Sequence, residues 1–268
     1  MRKALLVGIN VYPDPEAGLD GCINDINDMA GFIVEHRKFK MSNIKMLTNN
    51  RATKANIVER LNWLVADAKA GDQLLFYYSG HGAQMATRSK TGEPDKLDEV
   101  ICPYDFDWND KTALRDKEFK KIFSKVPTGV DLIWGSDSCH SADLSREVKK
   151  PVAYKVKTMI PPLDIAWKNR KILTTAGKAQ ELGRSTKLLN LALISGCKSA
   201  QESADTFFNK RPNGALTYYL LKCLKAKTGK TNSLKQIVAA ITEYLKKGKF
   251  TQRPQIEGSQ LLLDKPFF

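Results

Sequence analysis

Four short apolar runs constrain the fold of this chain more than any other feature of its sequence. They cover residues 4–9, 74–78, 130–134 and 191–194. None of them alternates between polar and apolar residues, so each predicts a strand that is buried on both of its faces. Such strands are typical of parallel sheets that carry helices on both sides.

Amphipathic segments lie between these runs and predict helices. Apolar residues recur at helical spacing in 24–35, 53–69, 116–123, 214–225 and 233–246, and Thr53 is a candidate N-cap. Residues 44–47, 100–102 and 260–263 predict further short strands. Strands that alternate with helices indicate an α/β fold with a mostly parallel central sheet and helices on both faces. We interpret residues 1–268 as a single domain.

Residues 145–187 differ from the rest of the chain. They hold eleven Lys and Arg residues against three acids, contain the pair Pro161-Pro162, and show only weak periodicity. We interpret them as a long basic loop inside one domain, because strand-like and helical patterns resume after it. A loop of this length in a compact domain is uncommon and is usually functional or disordered.

The positive charge of the chain is concentrated in two segments. The formal net charge is +14, but residues 145–187 and 222–253 carry +8 each, which leaves −2 for the remainder. Two basic segments are compatible with nucleic-acid binding. No recognised nucleic-acid motif accompanies them, which favours a solvated surface and argues against a nucleic-acid partner.

The cysteines and the apolar runs indicate in which cellular compartment the protein is expected to lie. The five cysteines are scattered and form no Cys-x-x-Cys pair, which argues against a disulfide framework and for a reducing compartment. No run of 18 apolar residues predicts a membrane helix. Residues 4–9 are too short for a signal peptide and lack a cleavage site. We therefore expect a cytoplasmic monomer that does not bind membranes.

Two of the predicted strands end in reactive side chains. The sequence Ser79-Gly80-His81-Gly82 follows residues 74–78, and Gly135-Ser136-Asp137-Ser138-Cys139-His140 follows residues 130–134. Active sites gather at the carboxyl ends of parallel strands, so we expect His81 and Cys139 to lie side by side. A cysteine nucleophile needs an imidazole partner and N–H donors for the oxyanion, and the backbone of Gly82 and Cys139 offers such donors.

His81 is the candidate partner by elimination. His36 lies at a helix end, and His140 is adjacent to Cys139 in sequence, where side chains usually diverge. The alternative is that Cys139 is a small buried residue and His81 a turn residue. A zinc site that adds Asp137 and His140 lacks the ligand spacing of structural zinc sites. No Gly-x-Ser-x-Gly elbow indicates a serine hydrolase.

These motifs resemble those of metacaspases and related prokaryotic caspase homologues. Tyr78-Ser79-Gly80-His81-Gly82 is similar to their histidine motif, and Asp137-Ser138-Cys139-His140-Ser141 is similar to their cysteine motif. Residues 6–10 and 21–25 resemble the N-terminal pattern, and 194–199, 201–205 and 213–215 resemble the small-subunit region. The resemblance implies a caspase-like fold, with residues 1–144 as the large-subunit part and 188–268 as the small-subunit part.

The resemblance also implies an activity. Metacaspases are cysteine endopeptidases that cleave after Arg or Lys, so the substrates would be proteins or peptides and the dyad would be Cys139 and His81. We expect no required cofactor, and calcium is considered below. An inactive caspase-like scaffold that binds partners is the alternative function.

The acidic S1 pocket of the family maps onto Asp25 and Asp137, with Cys22 and Ser79 lining it. The chemistry agrees, because a desolvated Arg or Lys side chain needs carboxylate partners. Without the resemblance, Asp25 is an ordinary acid at a helix N-terminus and Asp137 a turn residue.

Calcium is the metal that the resemblance raises. The candidate ligands are Asp98, Asp116 and Asp143, although Asp143 misses the family spacing. Where the family has a pair of acids, this chain has Arg115-Asp116, and a cation among the ligands argues against calcium binding. We therefore expect activity to persist, at least in part, without calcium.

The basic segment offers bonds for self-cleavage, and metacaspases are similar in cutting themselves in this region. Segments that are mobile and exposed are where cleavage concentrates. The candidate sites are Arg146, Lys149, Lys150, Lys155, Lys157, Arg170, Lys171, Lys178, Arg184 and Lys187. The alternative is a packed cover over the sheet that is protected from cutting.

Overall fold

The central element of the fold is a six-stranded sheet, five strands of which are parallel. The structure is a computed structural model that describes residues 1–87, 97–140, 154–176, 190–197 and 201–268. In spatial order the strands are β12 (Gln255–Gly258), β9 (Leu191–Ser195), β7 (Asp131–Asp137), β3 (Gln73–Ser79), β1 (Arg2–Gly8) and β2 (Ile44–Thr48). Only β12 runs antiparallel to its neighbour. The predicted α/β architecture is confirmed.

Helices cover both faces of this sheet. Successive residues of a strand point to opposite faces, and in β1 Leu5 and Val7 pack into one buried cluster while Ala4 and Leu6 pack into the other. The first cluster includes apolar residues of α2 (Lys54–Val65) and α3 (Asp116–Phe123). The second includes those of α1 (Cys22–Arg37), α5 (Ala215–Lys225) and α6 (Leu234–Lys247). The absence of polar–apolar alternation in the strands follows from this double coverage.

Two small sheets lie beside the carboxyl ends of the central strands. One contains β4 (Gly82–Ala86), β5 (Leu97–Ile101) and β6 (Leu114–Arg115). The other contains β8 (Lys155–Val156), β10 (Ala204–Phe208) and β11 (Arg211–Gly214). Since β4 begins one residue after His81, the first sheet continues directly from the candidate site.

Local sequence signals place several helix ends correctly. The Thr53 hydroxyl accepts a hydrogen bond from the N–H of Asn56, as expected of an N-cap. At the start of α6, Ser233 and Gln236 form a reciprocal capping box.

Two segments differ from the sequence-based expectation. Residues 260–263, predicted as a strand, form the short helix α7 (Gln260–Leu263), and the last strand is β12 instead. Three consecutive leucines after Gln260 do not distinguish a strand from one helical turn. The basic segment expected to be a loop contains β8 and the helix α4 (Leu163–Ala176). Among the described residues, no helix has the length and apolarity needed to cross a bilayer.

Candidate active site

The register of two central strands brings the predicted catalytic residues to the same level. Ser79 of β3 pairs with Asp137 of β7 in a parallel ladder that extends along both strands. His81 and Cys139 therefore each follow the last paired residue by two positions, at the same edge of the sheet. Both side chains are buried.

The imidazole of His81 is held by a backbone carbonyl. Its Nε2 lies 2.8 Å from the carbonyl oxygen of Ala17, whereas its Nδ1 is buried without a hydrogen-bond partner among the described residues. A proton on Nε2 satisfies the carbonyl and leaves Nδ1 with a free lone pair. Burial lowers the pKa of His81 to about 4, so the ring is neutral at pH 7. Neutral imidazole with a free lone pair is the form that acts as a general base.

The backbone of His81 is fixed by two buried tyrosines. Its N–H donates to the Tyr12 hydroxyl oxygen at 2.9 Å, and its carbonyl oxygen accepts from the Tyr78 hydroxyl at 2.6 Å. The rings of Tyr12 and His81 also pack at a centroid distance of 4.9 Å. Sequence reasoning identified neither Tyr12 nor the Ala17 carbonyl, because a backbone acceptor or a packing tyrosine leaves no pattern in the sequence.

His140, the residue after Cys139, contacts a different strand. Nδ1 of His140 lies 3.1 Å from the carbonyl oxygen of Val100 in β5. The thiol of Cys139 instead donates to the carbonyl oxygen of Gln201, which the thiol of Cys197 also contacts at 3.3 Å. Consistent with these separate contacts, the described residues include no group of three or more His, Cys, Asp or Glu arranged to bind a metal.

Two backbone N–H groups converge on one carbonyl oxygen of the chain itself. The N–H groups of Gly82 and Cys139 donate to the carbonyl oxygen of Lys157 at 3.1 and 3.0 Å. A Cβ at position 82 would lie 2.5 Å from the carbonyl oxygen of Cys139, so only glycine fits at this position. The arrangement has the geometry of an oxyanion hole that is occupied by a peptide carbonyl.

The side chain of Lys157 enters a closed pocket between two carboxylates. Its ammonium nitrogen lies 2.8 Å from Oγ of Ser79, 3.0 Å from Oδ2 of Asp25 and 3.3 Å from Oδ1 of Asp137. Lys157 and both carboxylates have 0% side-chain exposure. Cys22 is buried beside Ser79, and burial raises the pKa of its thiol. The four residues expected to form S1 thus surround one basic side chain.

Charge pairing dominates the electrostatics of this pocket. Burial by itself would lower the pKa of the Lys157 ammonium, but the carboxylates of Asp137 and Asp25 outweigh it and raise that pKa well above its ordinary value. Burial raises the pKa of the Asp25 carboxyl, although the Lys157 ammonium opposes the shift. A cation is therefore strongly favoured at this position.

The second half of the chain supplies donors that hold the two carboxylates. Asn213 and the N–H of Gly214 donate to Asp25, and Ser203 and Thr217 donate to Asp137, at 2.7–3.1 Å. A Cβ on Gly214 would lie 2.1 Å from the Lys157 nitrogen, so a side chain there would fill the pocket. Ser203, Asn213 and Gly214 lie in the small-subunit motif quoted above, but their contacts with the acids were not predicted.

The candidate cleavage sites differ in exposure. Lys155, Arg170 and Lys171 are exposed, but Lys157 is completely buried, contrary to the expectation of an exposed cluster. Lys157 is buried because its ammonium lies between Asp25 and Asp137 in the pocket described above. Arg146, Lys149, Lys150, Lys178, Arg184 and Lys187 lie outside the described residues.

A guanidinium occupies the region expected to hold calcium ligands. Arg115 binds Oδ2 of Asp98 at 2.8 Å and Oδ1 of Asp110 at 2.6 Å. The other Asp98 oxygen accepts from the hydroxyl of Thr87 at 2.6 Å. Asp143 and the side chain of Asp116 lie outside the described part of the chain. Asp98 is thus already neutralised by a fixed cation, and the described residues do not fit a calcium site.

Comparisons with known proteins identify the family to which the chain belongs. The profile of the metacaspase peptidase C14 domain matches residues 2–146. The chain is 32% identical to Metacaspase-1 of Cryptococcus neoformans and 31% identical to Metacaspase-1B of Neurospora crassa, over 96% and 97% of its length. It spans 62% and 67% of those two relatives. A crystal structure of a Geobacter sulfurreducens protein superposes with a TM-score of 0.72 at 27% identity, covering 100% of this chain and 98% of that protein.

Proposed function

The chain belongs to the metacaspase family of C14 peptidases, and on that premise we propose that it is a cysteine endopeptidase that cleaves after Lys or Arg. One observation carries the proposal. Lys157 lies in the site as a substrate residue would, with its carbonyl oxygen between the N–H groups of Gly82 and Cys139 and its ammonium between two buried carboxylates.

The mechanism follows from the two buried side chains. Once the Cys139 thiol leaves the carbonyl oxygen of Gln201, neutral His81 accepts its proton at Nδ1, and the thiolate attacks the carbonyl carbon of the P1 residue. The two N–H groups stabilise the negative charge on the carbonyl oxygen in the tetrahedral intermediate. The intermediate collapses to a thioester as protonated His81 donates its proton to the leaving amine. Water, deprotonated by His81, then hydrolyses the thioester and restores the thiol.

Specificity for a basic P1 residue follows from the cost of an empty acidic pocket. Asp25 and Asp137 are buried close to one cation, so an apolar P1 side chain would leave both of them without a charged partner. An acidic P1 side chain would add a third negative charge.

The carbonyl oxygen of Ala17 is a positioning group, because its hydrogen bond fixes the orientation of His81.

The same observation supports self-cleavage at the bond between Lys157 and Thr158. The scissile carbonyl already lies in the oxyanion hole, so the reaction would be intramolecular and its rate independent of protein concentration. After cleavage the two parts would remain together, since β7 and β9 pair side by side in the central sheet. The alternative, a packed cover over the sheet that is protected from cutting, predicts instead that this bond stays intact.

The test of activity compares matched cysteine variants. Wild type and Cys223→Ala, which removes a buried thiol of α5, should release aminomethylcoumarin from Lys and Arg peptides and not from Asp peptides. Cys139→Ala should release none while keeping the wild-type circular dichroism spectrum. Turnover by Cys139→Ala, or a preference for Asp peptides, would refute the proposal.

A further inference from the structure

We infer that the groove beyond S1 contains two further subsites, an acidic S3 at Asp20 and an aromatic S4 at Phe250. This inference rests on the proposed function, because it takes Lys157 as the P1 residue. Val156, Lys155 and Tyr154 then occupy P2, P3 and P4. Preferred substrates would have an aromatic P4 residue, a basic P3 residue and Lys at P1.

The segment before Lys157 is bound as an added strand. Val156 and Lys155 of β8 pair antiparallel with Ala204 and Asp205 of β10, and the N–H of Lys157 donates to the carbonyl oxygen of Ser203 at 3.0 Å. A peptide bound by its main chain at a sheet edge presents alternate side chains to fixed pockets. The register is therefore defined from P3 to P1.

The P3 side chain reaches a carboxylate that the fold holds in place. The Lys155 nitrogen lies 2.9 Å from the carboxylate of Asp20. The N–H of Asp20 donates to Asp205 at 2.6 Å, and its carbonyl oxygen accepts from Asn10 at 3.0 Å. Asp205 thus has two roles: it belongs to β10, which pairs with the bound strand, and it holds Asp20, which binds the P3 side chain. Because 48% of the Lys155 side chain and 43% of the Asp20 side chain are exposed, this pair gives a modest preference that salt weakens.

The P4 side chain packs against a group of aromatic residues. The ring of Tyr154 lies 6.0 Å from that of Phe250, which in turn contacts Phe208 and Tyr219 at 6.1 and 6.3 Å. An aromatic ring fits this position better than a small or charged side chain, because it buries apolar area against this aromatic group.

Four peptides measure the contributions of S3 and S4 separately from the activity that needs only Lys at P1. They are acetylated Tyr-Lys-Val-Lys, Ala-Lys-Val-Lys, Tyr-Ala-Val-Lys and Ala-Ala-Val-Lys, each with a C-terminal aminomethylcoumarin, assayed with wild-type enzyme after self-cleavage is complete. We expect P4 Tyr to raise kcat/KM about tenfold over Ala. We expect P3 Lys to raise it about two- to fivefold at low salt and less at 0.5 M NaCl.

Enzyme variants assign each preference to its residue. Asp20→Asn should remove the P3 preference alone, and Phe250→Ala the P4 preference alone. The exposed residues Asp67 and Phe207 provide the controls Asp67→Asn and Phe207→Ala, which should leave both preferences unchanged. If all four peptides are cleaved equally, the subsites are refuted while the peptidase proposal stands. If folded wild type cleaves neither a peptide nor itself, both are refuted.

A second measurement applies if the bound segment keeps peptides out of the groove. Tyr154→Ala and Lys155→Ala should then lower the first-order rate of cleavage after Lys157, while Lys168→Ala, on an exposed face of α4, should not. Equal rates in all three variants would overturn the inference, because side chains without subsites cannot position the bond.

Discussion

Replacing Lys157 by Met tests whether the buried ammonium positions the chain for its own cleavage. Met keeps the length of the side chain but removes the charge that lies within 3.3 Å of Asp25 and Asp137. Removing one partner of a buried ion pair typically costs ~3–5 kcal/mol. If the transition state loses that interaction, self-cleavage slows by roughly two to four orders of magnitude, since each ~1.4 kcal/mol is tenfold in rate. Lys157→Arg retains a cation and should still be cut.

Intact mass spectrometry over a time course measures this effect directly. Wild type should give two products, residues 1–157 and 158–268, with a rate that does not change on dilution. Lys168→Met removes the same charge from an exposed position and should be cut like wild type. The reasoning fails if Lys157→Met is cut after position 157 at the wild-type rate. It also fails if wild type stays intact at this bond while it cleaves Lys peptides in trans.

Three further predictions concern the acids, the histidine and calcium. Asp25→Asn should lower kcat/KM for Lys peptides by roughly 30-fold to 5,000-fold, which corresponds to the ~2–5 kcal/mol lost when a buried charge pair is broken. An undiminished kcat/KM would exclude Asp25 from S1. The pKa of His81 is lowered from 6.5 to about 4, so the unfolded chain binds the proton first as the pH falls. The free energy of unfolding should therefore fall by about 3 kcal/mol in total between pH 6.5 and pH 4. Urea unfolding of Cys139→Ala should show this loss, and the same protein with His81→Gln should lack it. Activity should persist at least in part in excess chelator, given the guanidinium of Arg115 at Asp98, whereas complete loss that millimolar calcium reverses would contradict this.

The sequence by itself determined the architecture and the position of the candidate dyad. Apolar runs without alternation are typical of strands buried on both faces, and four of them form β1, β3, β7 and β9, whereas residues 260–263 form a helix. The prediction that His81 and Cys139 share one sheet edge required only that the strands be parallel, because each residue follows its strand by the same distance. Helix caps such as Thr53 were also predictable, since capping depends on neighbours a few residues away.

Only the tertiary structure decided what the basic segment and the second half of the chain contribute. No local pattern distinguishes Lys157 from the exposed Lys155, because its burial depends on carboxylates 132 and 20 positions away in sequence. The support of Asp25 by Asn213 and Gly214 depends likewise on the packing of α1 against β11. Hydrogen bonds to backbone atoms, such as that between His81 and the Ala17 carbonyl, carry no signature of residue type. These contacts arise when distant segments pack together, and for that reason the sequence predicted the candidate dyad but not the segment that lies in the candidate site.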